Sequence, residues 1–457
     1  AEIAAYNAPF PDSSYTAGAR IFPSLVPFGN DPALPDQRAA WTVFERWDKP
    51  FLCCFSDGDP ITRGGESRFI GRVPGTAGQA VAELLFRRPD GSIQYDFSGK
   101  LLRQLTAGAW VVDELEAVNE AKGQVFFTGR KDTPLERHLY QVSLKTGEIK
   151  RLTEAGFDHA LVMAKDGSSF IDSFSNVLTP PKVALRALDG KVLTWLEQNQ
   201  LNASHALTPY HGDLKAPRFG TLQAEDGQTL HYRMFEPKAF VAGKQYPVVV
   251  SVYGGPHAQR VTNSWSPKDL YFQYLAQNGY IVFQLDNRGS ENRGKAFEDP
   301  IYKKLAVVEL EDQITGVEYL RSLPYVDAGR IGIYGHSYGG YMSIMAMFKA
   351  GDYFKAGVAG APVTDWALYD THYTERYLGH PASNKAGYEQ SSVFPYVKDY
   401  QGNLMIYHGM ADDNVLFTHS TKLYKQLQDK GLMFDMMNYP GSKHSMFGQP
   451  VQTHLHK

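Results

Sequence analysis

The chain has 457 residues, 43% of them hydrophobic, with a mean hydropathy of −0.35 and a formal net charge of −3. That length exceeds what one core usually serves, and the composition is ordinary for a soluble globular protein, so more than one domain is expected, in a cytoplasmic or periplasmic compartment that the sequence does not specify. There is no basic patch with interleaved aromatics to suggest nucleic acid, and no apolar run approaches the roughly 20 residues that span a bilayer.

The chain opens at Ala1 with neither a basic region nor an apolar stretch of signal-peptide type. Its two cysteines are neighbours, Cys53 and Cys54, whose diverging side chains rule against an ordinary disulfide, and no Cys/His spacing suggests zinc. The segments Ala8-Pro9-Phe10-Pro11-Asp12, Gly18-Ala19-Arg20-Ile21-Phe22-Pro23 and Trp47-Asp48-Lys49-Pro50-Phe51-Leu52-Cys53-Cys54-Phe55-Ser56-Asp57-Gly58-Asp59-Pro60-Ile61-Thr62-Arg63-Gly64-Gly65 resemble the C-terminal part of a haloalkane dehalogenase. The resemblance makes Asp59 a triad acid. It ends near Gln79, where a histidine-bearing loop should come next, and no matching nucleophilic aspartate precedes it. Residues 1–80 therefore read as a fragment of one hydrolase fused, naturally or by assembly, to the rest of the chain.

Between residues 90 and 200, within a domain expected at 81–215, a weak repeat appears. Tyr95 to Thr106 recurs as Tyr140 to Thr153 and more faintly as Leu185 to Leu196, with Leu105, Leu152 and Leu196 at intervals of about 45 residues and a glycine turn in each copy. That is the period of β-propeller blades. Two to three blades are too few to close a ring, so a partial β-propeller-like all-β segment is expected, with open strand edges.

The run Val248-Val249-Val250-Ser251-Val252 reads as a buried strand that delivers Tyr253-Gly254-Gly255-Pro256. Next comes Ile331-Gly332-Ile333-Tyr334, then Gly335-His336-Ser337-Tyr338-Gly339, then a helical stretch from Gly340 to Phe348. Strand, sharp turn and helix around G-x-S-x-G form the nucleophile elbow of an α/β hydrolase catalytic domain, here at 216–457, with Ser337 exposed at the sheet top. A hydroxyl needs a histidine base and a carboxylate to orient it, in the chain order Ser, Asp, His. The strand Asn403 to Gly409 runs into Asp412, the chosen orienter, with Asp413 as its alternative. The strand Phe434 to Tyr439 runs into a loop bearing His444, the chosen base, against which His408 and His419 compete weakly.

With these residues in place, the chain from 81 to 457 resembles the prolyl oligopeptidase family, most closely its dipeptidyl peptidase IV branch. The motifs that carry the likeness are Gly335-His336-Ser337-Tyr338-Gly339-Gly340-Tyr341, Ala411-Asp412-Asp413-Asn414-Val415 and Val252-Tyr253-Gly254-Gly255-Pro256. The resemblance makes the Tyr253 hydroxyl and the Tyr338 amide the oxyanion donors. It lines a proline pocket with Val363, Trp366, Tyr369, Tyr373, Val415 and Tyr338, and gives Asn414 the substrate carbonyl. By spacing alone Trp366, Tyr369 and Tyr373 also suit any amphipathic helix.

Two features depart from the family pattern. Relatives grip the substrate amine with an adjacent Glu-Glu pair, and this chain has no Glu-Glu dipeptide; Asp113, Glu114 and Glu116 are the nearest acids. After His444 only 13 residues remain, so the closing helix of the fold is at best begun. The expected activity is that of a serine hydrolase working through an acyl-enzyme, a prolyl-specific peptidase with weakened amino-terminal recognition. A broad-range carboxylesterase and a non-catalytic peptide-binding scaffold are the alternatives. Neither metal nor cofactor is called for, the partner is a peptide or ester substrate, and a homo-oligomer is compatible with the sequence.

Overall fold

Alternation of apolar and polar side chains builds the stretch from Val112 to Glu197 from hairpins. The computed structural model describes residues 34–46, 84–88, 91–95, 101–446 and 448–455. Cys53, Cys54, Asp59 and the dehalogenase-like motifs around them lie outside the described residues. The chain divides into two compact units, one of residues 1–86 and 93–103, the other of 87–92 and 104–457. The first contains helix α1, Leu34–Phe44. A three-stranded sheet is ordered β1 (Leu84–Arg88), β2 (Gly91–Tyr95), β3 (Leu101–Gln104).

Within the second unit, β4 (Val112–Asn119), β5 (Gln124–Gly129), β6 (His138–Ser143) and β7 (Ile149–Arg151) form an antiparallel sheet in sequence order. β8 (Asp158–Met163), β9 (Ser169–Asn176), β10 (Thr179–Ala187) and β11 (Val192–Glu197) form the next. The 45-residue repeat marks the outer hairpin of each: Gly147 (φ 75°) and Gly190 (φ 84°) sit in the left-handed conformation at the turns. The sheets are open, four-stranded and do not close into a propeller. Phe126, Leu139, Met163 and Phe170 fill the core between them. Beside that core runs a buried polar line, in which Asp172 accepts from His159 Nδ1 at 2.9 Å and pairs with Arg186 Nε at 2.8 Å.

The large eight-stranded sheet is ordered β12 (Arg218–Gln223), β13 (Thr229–Phe235), β15 (Ile281–Leu285), β14 (Tyr246–Ser251), β16 (Val326–His336), β17 (Ala356–Gly360), β18 (Asn403–Gly409), β19 (Asp435–Tyr439). β12 with β13 and β13 with β15 pair antiparallel, and every other pairing, from β15 through β14 to β19, is parallel. Parallel strands need crossovers and both faces covered, so the strands read as continuous apolar runs and the helices carry the amphipathic stripes. The main helices are α2 (Pro267–Gln277), α3 (Val308–Ser322), α4 (Tyr338–Lys349), α5 (Thr371–Leu378), α6 (Lys385–Ser391), α7 (Thr418–Asp429) and α8 (Gln449–Leu455). α4 is buried along almost its whole length, from Tyr338 to Phe348. The stretch bearing Trp366, Tyr369 and Tyr373 is not one continuous amphipathic helix but a 3₁₀ turn at Trp366–Leu368 followed by α5, which Asp370 caps by accepting from the Tyr373 N–H at 2.8 Å. No helix among the described residues is long and apolar enough to cross a membrane.

The loop from Gln259 to Ser266 ties the small sheets to the large one. Asn263 N–H donates to Leu135 O at 2.9 Å and its carboxamide to Glu136 at 2.7 Å, while Gln259 donates to Pro134 O at 2.8 Å.

Asp172→Ala removes the shared carboxylate from the buried Arg186 and His159, which keep only their bonds to Glu154 and Gly190, and is expected to cost about 3–5 kcal/mol. Asp132→Ala, which breaks the half-exposed pair with Arg151, should cost about 0–1 kcal/mol. Urea denaturation of the two variants followed by circular dichroism checks the contrast.

Candidate active site

The site is built at the carboxyl ends of the parallel strands, starting with Ser337. Its backbone is held at φ 63°, ψ −120°, a region that costs a non-glycine residue about 1–3 kcal/mol. The turn that imposes this leaves no space for side chains on either side. A Cβ at Gly335 would overlap the carbonyl of Gly339, and one at Gly339 would overlap the carbonyl of Val252. Ser337 N–H is anchored to Gly360 O at 2.8 Å, across to β17. The chain then turns into α4, whose first N–H groups, beginning with that of Tyr338, have no intrahelical acceptor and carry the positive end of the helix dipole.

Three side chains from three strand ends meet there. His444 Nε2 lies 2.9 Å from Ser337 Oγ and accepts its proton, while His444 Nδ1 donates to Asp412 Oδ2 at 2.7 Å. Asp412 is buried, and its other oxygen accepts from the N–H groups of Asn414 at 2.9 Å and Val415 at 3.0 Å. Burial by itself would raise this carboxyl. Hydrogen bonds from His408, His444 and the Asn414 backbone override that and hold it well below the usual carboxylate range, so it stays ionised. Asp413 points elsewhere, exposed and paired with Lys443.

The two competing histidines have other partners. His408, fully buried, donates from Nε2 to Asp412 Oδ2 at 3.1 Å and Val415 O at 2.8 Å, with Ser420 Oγ at 2.7 Å from its Nδ1. It steadies Asp412. His419 accepts the Thr364 N–H at 3.0 Å, and burial lowers it to about 4.

Tyr253 emerges from the end of β14 with its hydroxyl close to Ser337, and burial raises its phenol. Beside Ser337 stands an aromatic wall. Trp366 stacks on Tyr373 (centroids 6.0 Å, 13°), Tyr369 packs edge-on to both, and the Tyr338 ring lies 5.5 Å from Trp366. Val363 and Val415 are buried alongside. Tyr369 donates to Asn414 Oδ1 at 2.7 Å, which leaves the exposed Asn414 amide nitrogen as a donor toward the site.

Two supporting residues escape the sequence analysis. Glu309, on α3, is fully buried; it accepts from the Tyr338 hydroxyl at 2.8 Å and from the N–H groups of Ala306 and Val307. Burial pushes its carboxyl up to about 7 despite those bonds. His336 donates from Nε2 to His444 O at 2.9 Å and accepts from the Tyr407 hydroxyl at 3.2 Å, and burial lowers it to about 4. A glutamate in a helix has no local mark of such burial. His336 stood within the elbow motif, and its position beside Ser337 was the available signal.

Of the acids weighed for amine recognition, Glu116 accepts from Thr128 Oγ1 at 3.1 Å, Asp113 lies 3.7 Å from Arg130, and Glu114 is exposed on β4. No group of three or more His, Cys, Asp or Glu among the described residues is placed to hold a metal ion.

Because Glu309 keeps its proton to a higher pH in the fold than in the unfolded chain, it opposes stability as pH rises. The loss should begin near the ordinary value of 4.5 and level off above about 7. Glu309→Gln is expected to remove that slope, so that the stability difference between the two proteins shifts by about 1.4 kcal/mol per unit of displacement between pH 4.5 and 7. Urea unfolding at both ends of that window measures it.

Comparison with known proteins places this geometry. The model of the prolyl oligopeptidase family matches residues 265–457, and that of the dipeptidyl peptidase IV N-terminal region matches 93–181. Mouse dipeptidyl peptidase 8 (Mus musculus) is 36% identical over 397 residues, covering 82% of this chain and 44% of the relative; the human protein (Homo sapiens) is 37% identical with the same coverage. The crystal structure of Porphyromonas gingivalis dipeptidyl peptidase 4 superposes with a TM-score of 0.74 at 34% identity, over 80% of this chain and 51% of that one. The chain thus spans about half the length of the relatives it matches. From the elbow, the strand order and these matches together, the chain belongs to the prolyl oligopeptidase family, on its dipeptidyl peptidase IV branch.

Proposed function

We propose that this chain is a serine peptidase that cleaves after proline through an acyl-enzyme, with weakened recognition of the substrate's free amine. The observation that carries the reading is the continuous relay from Ser337 through His444 to Asp412, at 2.9 and 2.7 Å, beside an aromatic pocket. Ser337 Oγ attacks the scissile carbonyl as His444 Nε2 takes its proton. The new alkoxide is held by the Tyr253 hydroxyl and the Tyr338 N–H, donors already fixed before charge develops. His444 returns the proton to the leaving amine, the C–N bond breaks, and the acyl group remains on Ser337. Water, deprotonated by His444, then repeats the attack and releases the acid. Flat rings at Trp366, Tyr369 and Tyr373 suit a pyrrolidine. Asn414 holds the carbonyl of the preceding residue.

The weaker amine grip is supported by the missing Glu-Glu dipeptide and by the prior engagement of Glu116 and Asp113. The same absence favours the second reading, a carboxylesterase of broad acyl range, because fewer contacts then discriminate among acyl donors. The chain's coverage of its relatives leaves the activity of the whole protein within this proposal.

Ser337→Ala should lower turnover of p-nitrophenyl esters by several powers of ten, whereas Ser343→Ala, whose hydroxyl only bonds Gly339 O within α4, should keep most of it. Near-normal activity in the Ser337 variant would remove the assignment.

Substrate choice is read from a comparison of Gly-Pro-p-nitroanilide, N-blocked Ala-Pro-p-nitroanilide and a short-chain p-nitrophenyl ester. The blocked anilide is expected within about tenfold of the free one, about 1.4 kcal/mol in transition-state binding, with the ester fastest. A thousandfold preference for the free amine would establish a clamp, and ester cleavage without anilide cleavage would select the esterase.

A further inference from the structure

A cavity of about 350 Å³ opens on the His336 side of Ser337, lined by Tyr253, His336, Arg233, Arg260, Lys268 and Asp269 among others. It shares Tyr253 with the nucleophile's surroundings, and the His336 ring sits 5.0 Å from that of His444, the group that hands a proton to the leaving amine. Val363, Trp366, Tyr369 and Tyr373 take no part in its wall. The acyl side and the leaving side of a bound peptide therefore meet different chemistry.

The lining holds three cationic side chains against one carboxylate. That carboxylate is taken: Asp269 grips the buried Arg233 through two bonds of 2.8 and 3.0 Å. Arg260 lies over the Tyr253 ring at 4.5 Å, and Lys268 over the Tyr334 ring at 5.7 Å. Both are exposed, with no ion-pair partner among the described residues, and His336 adds no charge because burial keeps it neutral. The wall is fixed before any ligand arrives. The N–H groups of Arg260 and Val261 are held by the buried Asp286 at 2.7 and 3.0 Å, and Gln259 and Asn263 are tied to the small sheets. Although the Lys268 residue reaches solvent, the protein packed around its amine and the neighbouring Arg260 hold that amine below its ordinary value, a cost that a bound anion would relieve.

We infer that this cavity receives the leaving fragment and that Lys268 and Arg260 bind its free C-terminal carboxylate, which favours short peptides that end one or two residues beyond the scissile bond. The inference rests on the peptidase reading and adds a substrate class to it. A cavity of a few hundred Å³ accommodates about that much chain, and a carboxylate there meets two cations, the backbone of one of which, Arg260, is already held by Asp286.

The test compares Gly-Pro-Ala, its C-terminal amide and Gly-Pro-Glu amide on the full chain. The free acid should exceed the amide in kcat/KM by about tenfold at low salt, a gap of about 1.4 kcal/mol, and the gap should narrow as salt rises. In Lys268→Gln the ratio should fall toward one, and Lys268→Arg should restore it. A ratio near one in the parent, or an unchanged ratio in Lys268→Gln, would overturn the inference; faster cleavage of the Glu amide than of the acid would overturn its assignment to the chain end. A parallel arm needs no peptide cleavage: dialanine should inhibit ester hydrolysis about tenfold more tightly than its amide. If no peptide is cut, the peptidase reading fails and this inhibition alone decides whether the cavity binds a carboxylate.

Discussion

The site depends on one strained residue. Ser337 can hold a positive φ only because the glycines at 335 and 339 let β16 and α4 approach within a distance that any Cβ would block. That closeness lifts Oγ above the sheet and aims the start of α4 at the same point, so nucleophile and oxyanion donor come from a single turn. The strain is carried by the burial of α4 against β16 and β17, with Tyr341, Ile344, Met345 and Phe348 all excluded from water. Each such side chain contributes on the order of 1.5–3 kcal/mol, enough to hold a backbone conformation that costs about 1–3 kcal/mol.

Around this turn the interior admits ionisable groups only with partners. Asp412 is buried with four hydrogen-bond donors directed at it and remains an anion. Glu309 is buried with three and sits near neutrality. Burial raises both carboxyls, but at Asp412 the bonds from two histidine rings and the backbone outweigh it, whereas at the more deeply buried Glu309 the backbone N–H groups and the Tyr338 hydroxyl do not. One carboxylate is thereby kept ready to stabilise an imidazolium. The other fixes the Tyr338 ring, and with it a wall of the aromatic pocket, without adding a full charge beneath it.

The two four-stranded sheets do more than precede the hydrolase sheet. Through Leu135, Glu136 and Pro134 they hold the Gln259 to Asn263 segment, which also carries Arg260. A hairpin repeat with an apolar face of its own thus helps to set one wall of a cavity next to the nucleophile.

The nucleophile, its base and their order along the chain were legible because the chemistry demands particular residue types directly after strands. Gly335 to Gly339 could serve little else, and Asp412 and His444 each come after an apolar run at the distance a strand end requires. The blade hairpins were legible for a similar local reason, a glycine turn between alternating strands. The remaining choices were decided by long-range packing. Asp413 is excluded from the relay by its pairing with Lys443, 30 residues away, and His408 joins Asp412 only once β18 is buried. Glu309 and Lys268 carry no local mark at all, since the burial of one and the exposure of the other in a charged cavity depend on which strands lie beside them. Local pattern determines which residues can do the chemistry, but desolvation and partner choice exist only after distant segments meet, and those decide what each residue does.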